Sequence, residues 1–200
     1  LCPWFLPLFD NYHLEFEETW RDTVSLLGAP AVKGPREKTV AALIKPLEEA
    51  MGGKVVVDAG SGRFYLQIPG EGKMEMPLVA EGLRKIAMLA RLISTGTLLE
   101  QGYLFWDEPE TNLNPRLIRM IAACILNLCK QGIQVFIASH SLFLLRELEM
   151  LSGEAAFKSI RQRYFSLKTA TDGVELEQGD STDDLQTLVV LDEELKQSDR

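Results

Sequence analysis

Apolar residues recur along this chain in two rhythms. Tyr103-Leu104-Phe105-Trp106 is an unbroken run of large apolar residues that leads into Asp107-Glu108 and is stopped by Pro109. Such a run suits a parallel strand covered on both faces. Ile133 to Ala138 forms a second apolar strand that runs into Ser139-His140-Ser141. Spacings of three and four predict helices elsewhere. The first covers 14–27, with Leu14, Trp20, Val24 and Leu27 apolar, and the second covers 36–51, where Pro46 marks a kink or a boundary. A long helix is expected over 78–99 with a core stripe of Leu83, Ile86, Ala87, Ala90 and Ile93. Another is expected over 115–130, with Leu117, Ile118, Ile121, Ala122, Ile125 and Cys129 on one face. Asn114 can cap it, and Pro115 suits its first position.

Period-two segments complete the outline. Lys54–Asp58 and Arg63–Ile68 read as a hairpin turned through Ala59-Gly60-Ser61-Gly62, with a short third strand around 74–76. Segments 156–167 and 174–177 read as two more strands about an Asp172-Gly173 turn, helix 142–151 lies before them, and an acidic helix over 183–197 follows. Strands alternating with helices make the expected fold class α/β.

Composition narrows the choice of class. At 200 residues, 46% hydrophobic and 25% charged, the chain fits one ordinary globular domain or one large lobe. A net charge of -8 gives no overall case for nucleic-acid binding and leaves only a local patch open. Arg36, Lys38 and Lys45 read as a solvated helix face, with a nucleic-acid contact as the alternative. Cys2, Cys124 and Cys129 make no disulfide framework. Cys124 and Cys129 lie in an apolar helix and suit buried thiols in a reducing, cytoplasmic compartment. No apolar run reaches the roughly eighteen residues of a membrane span. Leu1–Phe9 is hydrophobic, but it holds Pro3 and Pro7 and lacks the positive flank of a signal peptide. The chain starts at leucine, and the expectation is a piece of a longer protein.

The candidate chemistry sits at the two strand ends. Asp107 and Glu108 occupy the carboxyl end of a strand, where open α/β sheets place their ligand crevices. Neighbouring strand residues point to opposite sides, so the two acids can serve different jobs. A solvated strand end is the alternative for the acids, and a satisfied structural histidine is the alternative for His140.

Phe105-Trp106-Asp107-Glu108-Pro109-Glu110, Asn112-Leu113-Asn114-Pro115 and Ala138-Ser139-His140-Ser141 resemble the Walker B, D-loop and switch-histidine segments of ABC-type P-loop ATPases. The nearest resemblance is to the AAA branch that includes the OLD-like (overcoming lysogenization defect) bacterial ATP-binding proteins. It covers residues 78–150. It implies the C-terminal portion of an ABC-type P-loop NTPase, a parallel sheet core with a helical and β-hairpin lobe. Residues 1–77 would form the lobe and 78–200 the ATPase core portion. ATP and Mg2+ would be the cofactors. Asp107 would bind the metal, Glu108 would activate water, His140 would sense the γ-phosphate, and Asn114 would help join two subunits in an ATP-sandwiched homodimer.

Leu78-Val79-Ala80-Glu81-Gly82-Leu83-Arg84-Lys85 stands where that family has its signature motif. Ala80 replaces the usual serine and Glu81 the first glycine, which leaves Gly82 in register. Arg84 or Lys85 could then bring positive charge to the partner's phosphate; an amphipathic helix with solvated basic residues is the alternative. No G-x-x-x-x-G-K-[ST] occurs in the chain, and Gly60-Ser61-Gly62 is only a superficial likeness. The resemblance places the phosphate loop upstream of Leu1. It implies ATP hydrolysis coupled to closing and opening of a dimer. A regulatory ATPase subunit of a nuclease or phage-defence complex, and a nucleotide sensor that does not hydrolyse, are the alternatives.

Overall fold

The computed structural model describes residues 18–171, 173–186 and 188–198. The expected helical start over 14–17, the apolar Leu1–Phe9 and Asp172 of the expected turn lie outside them. The chain divides into two compact units: one takes in everything up to Leu104 with Thr111–Leu113 and Gln131–Gln134, and the other takes in the rest.

In the first unit, helices α1 (Glu18–Gly28), α2 (Glu37–Met51) and α3 (Glu81–Ser94) surround an apolar core. Val40, Leu43, Leu47 and Met51 of α2 and Ile86, Ala87, Leu89, Ala90 and Ile93 of α3 are buried. Their spacing puts them on one stripe of each helix. Leu83, expected in that stripe, is only half-buried. Pro46 lies inside α2. That helix ends where Gly52 takes φ 67, and Gly53 N–H bonds Glu48 O at 3.1 Å, as glycine-terminated helices do.

Strands β1 (Lys54–Val57), β2 (Phe64–Ile68) and β3 (Gly72–Glu75) form an antiparallel meander in which Val56 faces Tyr65 and Leu66 faces Met74. Asp58 organises the first turn. Its carboxylate accepts Ser61 Oγ at 2.6 Å and Ser61 N–H at 2.8 Å, and these bonds hold its pKa below the usual aspartate value.

The long helix expected over 78–99 is divided. Residues 76–78 form a 3₁₀ turn, α3 starts at Glu81, and Gly96 at φ 78 separates it from the short α4 (Thr97–Gln101). The interruption is tied down: Val32 N–H bonds Ser94 O at 2.8 Å. Arg91 reaches from α3 to donate to Leu27 O at 2.7 Å and to Ala29 O at 2.6 Å, satisfying carbonyls at the end of α1.

Strands β4 (Tyr103–Asp107) and β5 (Gln134–Ala138) pair with each other. Gln134 N–H bonds Gly102 O at one end of the pair and Glu108 N–H bonds Ala138 O at the other, each at 2.8 Å. Both strands advance in the same direction between these bonds, so the pair is parallel. Its burial differs from expectation. Both strands alternate exposed and half-buried residues, and Phe105 is 69% and Phe136 43% exposed. The two rings stack on that exposed face, with centroids 4.5 Å apart. Among the described residues this sheet has only two strands. Its apolar run therefore forms a strand without being covered on both faces.

In the second unit, α5 (Pro115–Lys130) packs along α6 (Leu142–Ser152). Ile118, Ile121, Ala122, Cys124, Ile125, Leu126 and Leu128 of α5 are buried, a broader band than the expected face. Leu142, Leu144, Leu148 and Leu151 are their counterparts on α6. Burial pushes the Cys124 thiol up to about 12.

The antiparallel hairpin of β6 (Tyr164–Ala170) and β7 (Gly173–Gly179) starts later than expected. Residues 155–159 are turns, and Phe157 is buried with the Lys130 ammonium 5.5 Å from its ring centroid. The acidic segment begins with a 3₁₀ turn, Thr182–Asp184, and only then forms α7 (Val189–Ser198). Glu149 of α6 holds that turn by accepting both Thr182 N–H and Thr182 Oγ1 at 2.7 Å.

Candidate active site

The ends of β4 and β5 bring two of the candidate residues into contact. Asp107 closes β4 with an exposed side chain. Glu108 follows in the left-handed region, at φ 44. That conformation is unfavourable for a residue with a Cβ and costs of order 1–3 kcal/mol. It also ends the strand alternation, so a turn sets the direction of Glu108. The turn is held by Glu108 N–H to Ala138 O at 2.8 Å, and the next residue, Pro109, is fully buried.

The Glu108 carboxylate meets His140: Oε1 lies 3.0 Å from Nδ1, with the side chains 42% and 74% exposed respectively. With Glu108 ionised, Nδ1 carries the proton and donates. A carboxylate in this place can accept a proton from a water molecule, and a histidine beside it can contact the group under attack. Asp107, one residue away, offers a second and more exposed carboxylate.

A further pair joins the same two segments. Glu110 is 7% exposed, and its Oε1 accepts Ser139 Oγ at 2.6 Å. Ser139 Oγ also accepts Ser141 N–H at 3.0 Å. Ser141 is the N-cap of α6 and accepts Leu144 N–H at 3.2 Å. Sequence reasoning gave Glu110 and Ser139 no role. An acid in a loop reads as solvated, and nothing in the local pattern joins it to a serine on another strand end.

Asn114 behaves as its sequence predicts: its Oδ1 accepts Leu117 N–H at 3.0 Å at the start of α5, whose first residue is Pro115. The remaining candidates belong to the start of α3, in the first unit. Ala80 is the exposed N-cap and offers no side-chain cap, Glu81 is in the first turn, and the first turn closes with Arg84 N–H to Ala80 O at 3.0 Å. Arg84 and Lys85 are half-buried. Gly82 is buried, and a Cβ there would run into Asn112 O and lie 2.8 Å from Leu113 Cδ2. The helix start thus lies directly against the Asn112–Leu113 turn, where Asn112 has φ 64.

The donor set limits the kind of metal site. No three His, Cys, Asp or Glu side chains converge among the described residues. A caged zinc or calcium ion would need such a group. Magnesium held largely by phosphates and water needs only one or two protein carboxylates, a requirement that the exposed Asp107 fits.

A family model described as "AAA domain, putative AbiEii toxin, Type IV TA system" matches residues 7–146. No curated protein matches the chain. Among solved structures, the chain is similar to the Smc head domain with a coiled coil and joint from Pyrococcus yayanosii. That likeness has a TM-score of 0.54 and 10% identity, and covers 90% of this chain and 30% of that one. A structure from work on ATP-driven dimerization and DNA-stimulated activation of SMC ATPases matches with a TM-score of 0.51 and 12% identity, over 82% of this chain and 94% of that one. An Smc head bound to the C-terminal winged-helix domain of ScpA matches with a TM-score of 0.53 and 9% identity, over 72% and 41%. The chain therefore spans well under two thirds of two of these three relatives. At such identities the likeness establishes the fold: mixed helix and strand with a parallel pair, of the kind found in SMC ATPase heads.

Proposed function

The chain belongs to the AAA-domain family whose model it matches, and from that premise we propose that it carries the water-activating half of an ATP-hydrolysing site. The observation that carries this reading is the 3.0 Å contact between Glu108 and His140 at the ends of two adjacent parallel strands. Glu108 orients the attacking water and takes its proton. His140 contacts the γ-phosphate, and its Nδ1–H bond to Glu108 fixes the ring for that contact. Asp107 holds magnesium, directly or through water. The metal, when bound, neutralises phosphate charge.

The start of α3 serves the phosphate of a second copy. Helix N-termini offer free N–H groups to anions, and Gly82 gives that end close backbone packing against the Asn112–Leu113 turn. Ala80 brings no hydroxyl and Glu81 brings negative charge. Arg84 or Lys85 offsets that charge across the interface, and Asn114 helps to join the two copies. Hydrolysis then separates two copies that ATP holds together. A reducing cytoplasmic setting suits the buried Cys124 thiol.

The test is ATP-dependent self-association of the full-length protein, followed by light scattering. Substitution of Arg84 and Lys85 together by alanine abolishes ATP-driven dimerisation and leaves nucleotide affinity of the monomer within about threefold. Unchanged dimerisation and unchanged hydrolysis in that variant refute the assignment of the α3 start.

A further inference from the structure

Glu110 is a buried acid for which water activation has no direct use. One of its oxygens accepts Ser139 Oγ at 2.6 Å, and Oε2 has no hydrogen-bond partner among the described residues. Removing a carboxylate from water is costly, and a neutral side chain of similar size would avoid that cost. A plain loop staple needs only a neutral acceptor. A charged one makes a stronger bond, which fits a task in which the position of Ser139 has to be held tightly.

The location says which task. Glu110 is two residues beyond Glu108, and Ser139 immediately precedes His140. The Glu108–His140 contact is therefore bracketed by the backbone bond from Glu108 N–H to Ala138 O on one side and by the Glu110–Ser139 bond on the other. Ser139 and Ser141 are joined in turn by the bond from Ser141 N–H, and Ser141 caps α6. Both residues flanking His140 are thus fixed, although the ring itself is exposed.

We propose that Glu110 is a positioning residue for ATP hydrolysis, whose carboxylate clamps Ser139 and so keeps His140 in register with Glu108. It acts through Ser139 and touches neither water nor phosphate. The proposal rests on the reading of Glu108 and His140 as the hydrolytic pair. Displacement of a reacting group by about 1 Å can cost about a hundredfold in rate, so loosening the clamp shows in turnover before it shows in nucleotide binding.

The test compares Ser139→Ala, Ser139→Thr, Glu110→Gln and the double variant Glu110→Gln/Ser139→Ala in the full-length protein. Ser139→Ala lowers kcat by about tenfold to a hundredfold and changes KM for ATP by less than about threefold. Ser139→Thr keeps the hydroxyl and stays within about threefold of wild type. Glu110→Gln keeps an acceptor, loses the charge and lowers kcat by about fivefold or more. Because both changes break one clamp, the double variant is no slower than the slower single variant, within about twofold.

Wild-type kcat in Ser139→Ala, equal losses in Ser139→Ala and Ser139→Thr, or single losses that multiply in the double variant would each overturn the proposal. If the Glu110 variant does not fold, the two Ser139 variants decide the matter alone. Glu108→Gln separates the two readings. Continued turnover in Glu108→Gln defeats the hydrolytic assignment itself, whereas an inactive Glu108→Gln beside a fully active Ser139→Ala defeats only the clamp.

Discussion

Replacing Gly82 by alanine tests how tightly the start of α3 is held against the turn that precedes α5. In an open helix the change would stabilise the protein by about 1 kcal/mol, since glycine is that much poorer than alanine inside a helix. Here the added methyl would collide with Asn112 O and sit 2.8 Å from Leu113 Cδ2. The leucine can turn away. The carbonyl belongs to the backbone of a residue at φ 64 and cannot move without carrying the turn with it. Overpacking of this kind costs about 1–3 kcal/mol, with the upper end appropriate when backbone must shift. Subtracting the gain in helix propensity leaves a net loss of about 1–2 kcal/mol. For a chain of this size that lowers Tm by about 2–8 °C, at about 2–4 °C for each kcal/mol. Thermal melts followed by circular dichroism measure the shift, and hydrogen exchange locates the loosening at residues 111–113. A Tm raised by a few degrees, the outcome of helix propensity alone, would refute the close approach.

Two further predictions follow from groups whose ionisation the fold shifts. Cys124, buried and pushed up to about 12, reacts with Ellman's reagent at pH 8 only as the protein unfolds, and more slowly than Cys129, which is half-buried; equal rates for the two in native buffer would contradict its burial. Asp184 accepts the Ser181 and Asp180 N–H groups, which hold its pKa below the usual aspartate value. A depressed carboxyl stabilises above its unfolded pKa, and that contribution is lost as pH falls from there through the folded value. Asp184→Asn therefore weakens the acid dependence of urea stability below about pH 4, whereas an acid limb identical to wild type would count against the turn.

The parts that the sequence announces are those set by local chemistry. Asn114 followed by Pro115 and an apolar stripe marks a helix start, because the cap and the fixed proline φ need no distant partner. The β4 and β5 runs announce strands for the same reason. Their burial could not be read locally: Phe105 and Phe136 look like interior residues, yet which faces are covered depends on what packs against the pair. The helix expected over 78–99 stops early because Gly96, at φ 78, takes the left-handed conformation that follows the end of α3. Phe157 falls in a segment that reads as a strand, but it turns into the unit's interior near Lys130 instead.

At the site, Asp107, Glu108 and His140 are legible as ionisable residues at two strand ends. The contact between Glu108 and His140 needed the parallel register of the strands. Glu110 and Ser139 were illegible, since a buried acid and its serine are recognised only once the two loops are seen side by side. Gly82 stands out in the sequence only by its place in a motif. The structure adds a steric reason for glycine that no spacing conveys.

Comparison of Glu108→Gln with wild type in the full-length protein, by nucleotide binding and steady-state hydrolysis in parallel, decides whether Glu108 activates the attacking water. The amide keeps the shape of the side chain and loses the basic oxygen. Positioned base catalysis is worth about a hundredfold to ten-thousandfold. Mg-ATP affinity is expected to stay within about threefold of wild type while turnover falls by at least about a hundredfold. A steady-state rate within about twofold of wild type would contradict Glu108 as the water-activating residue.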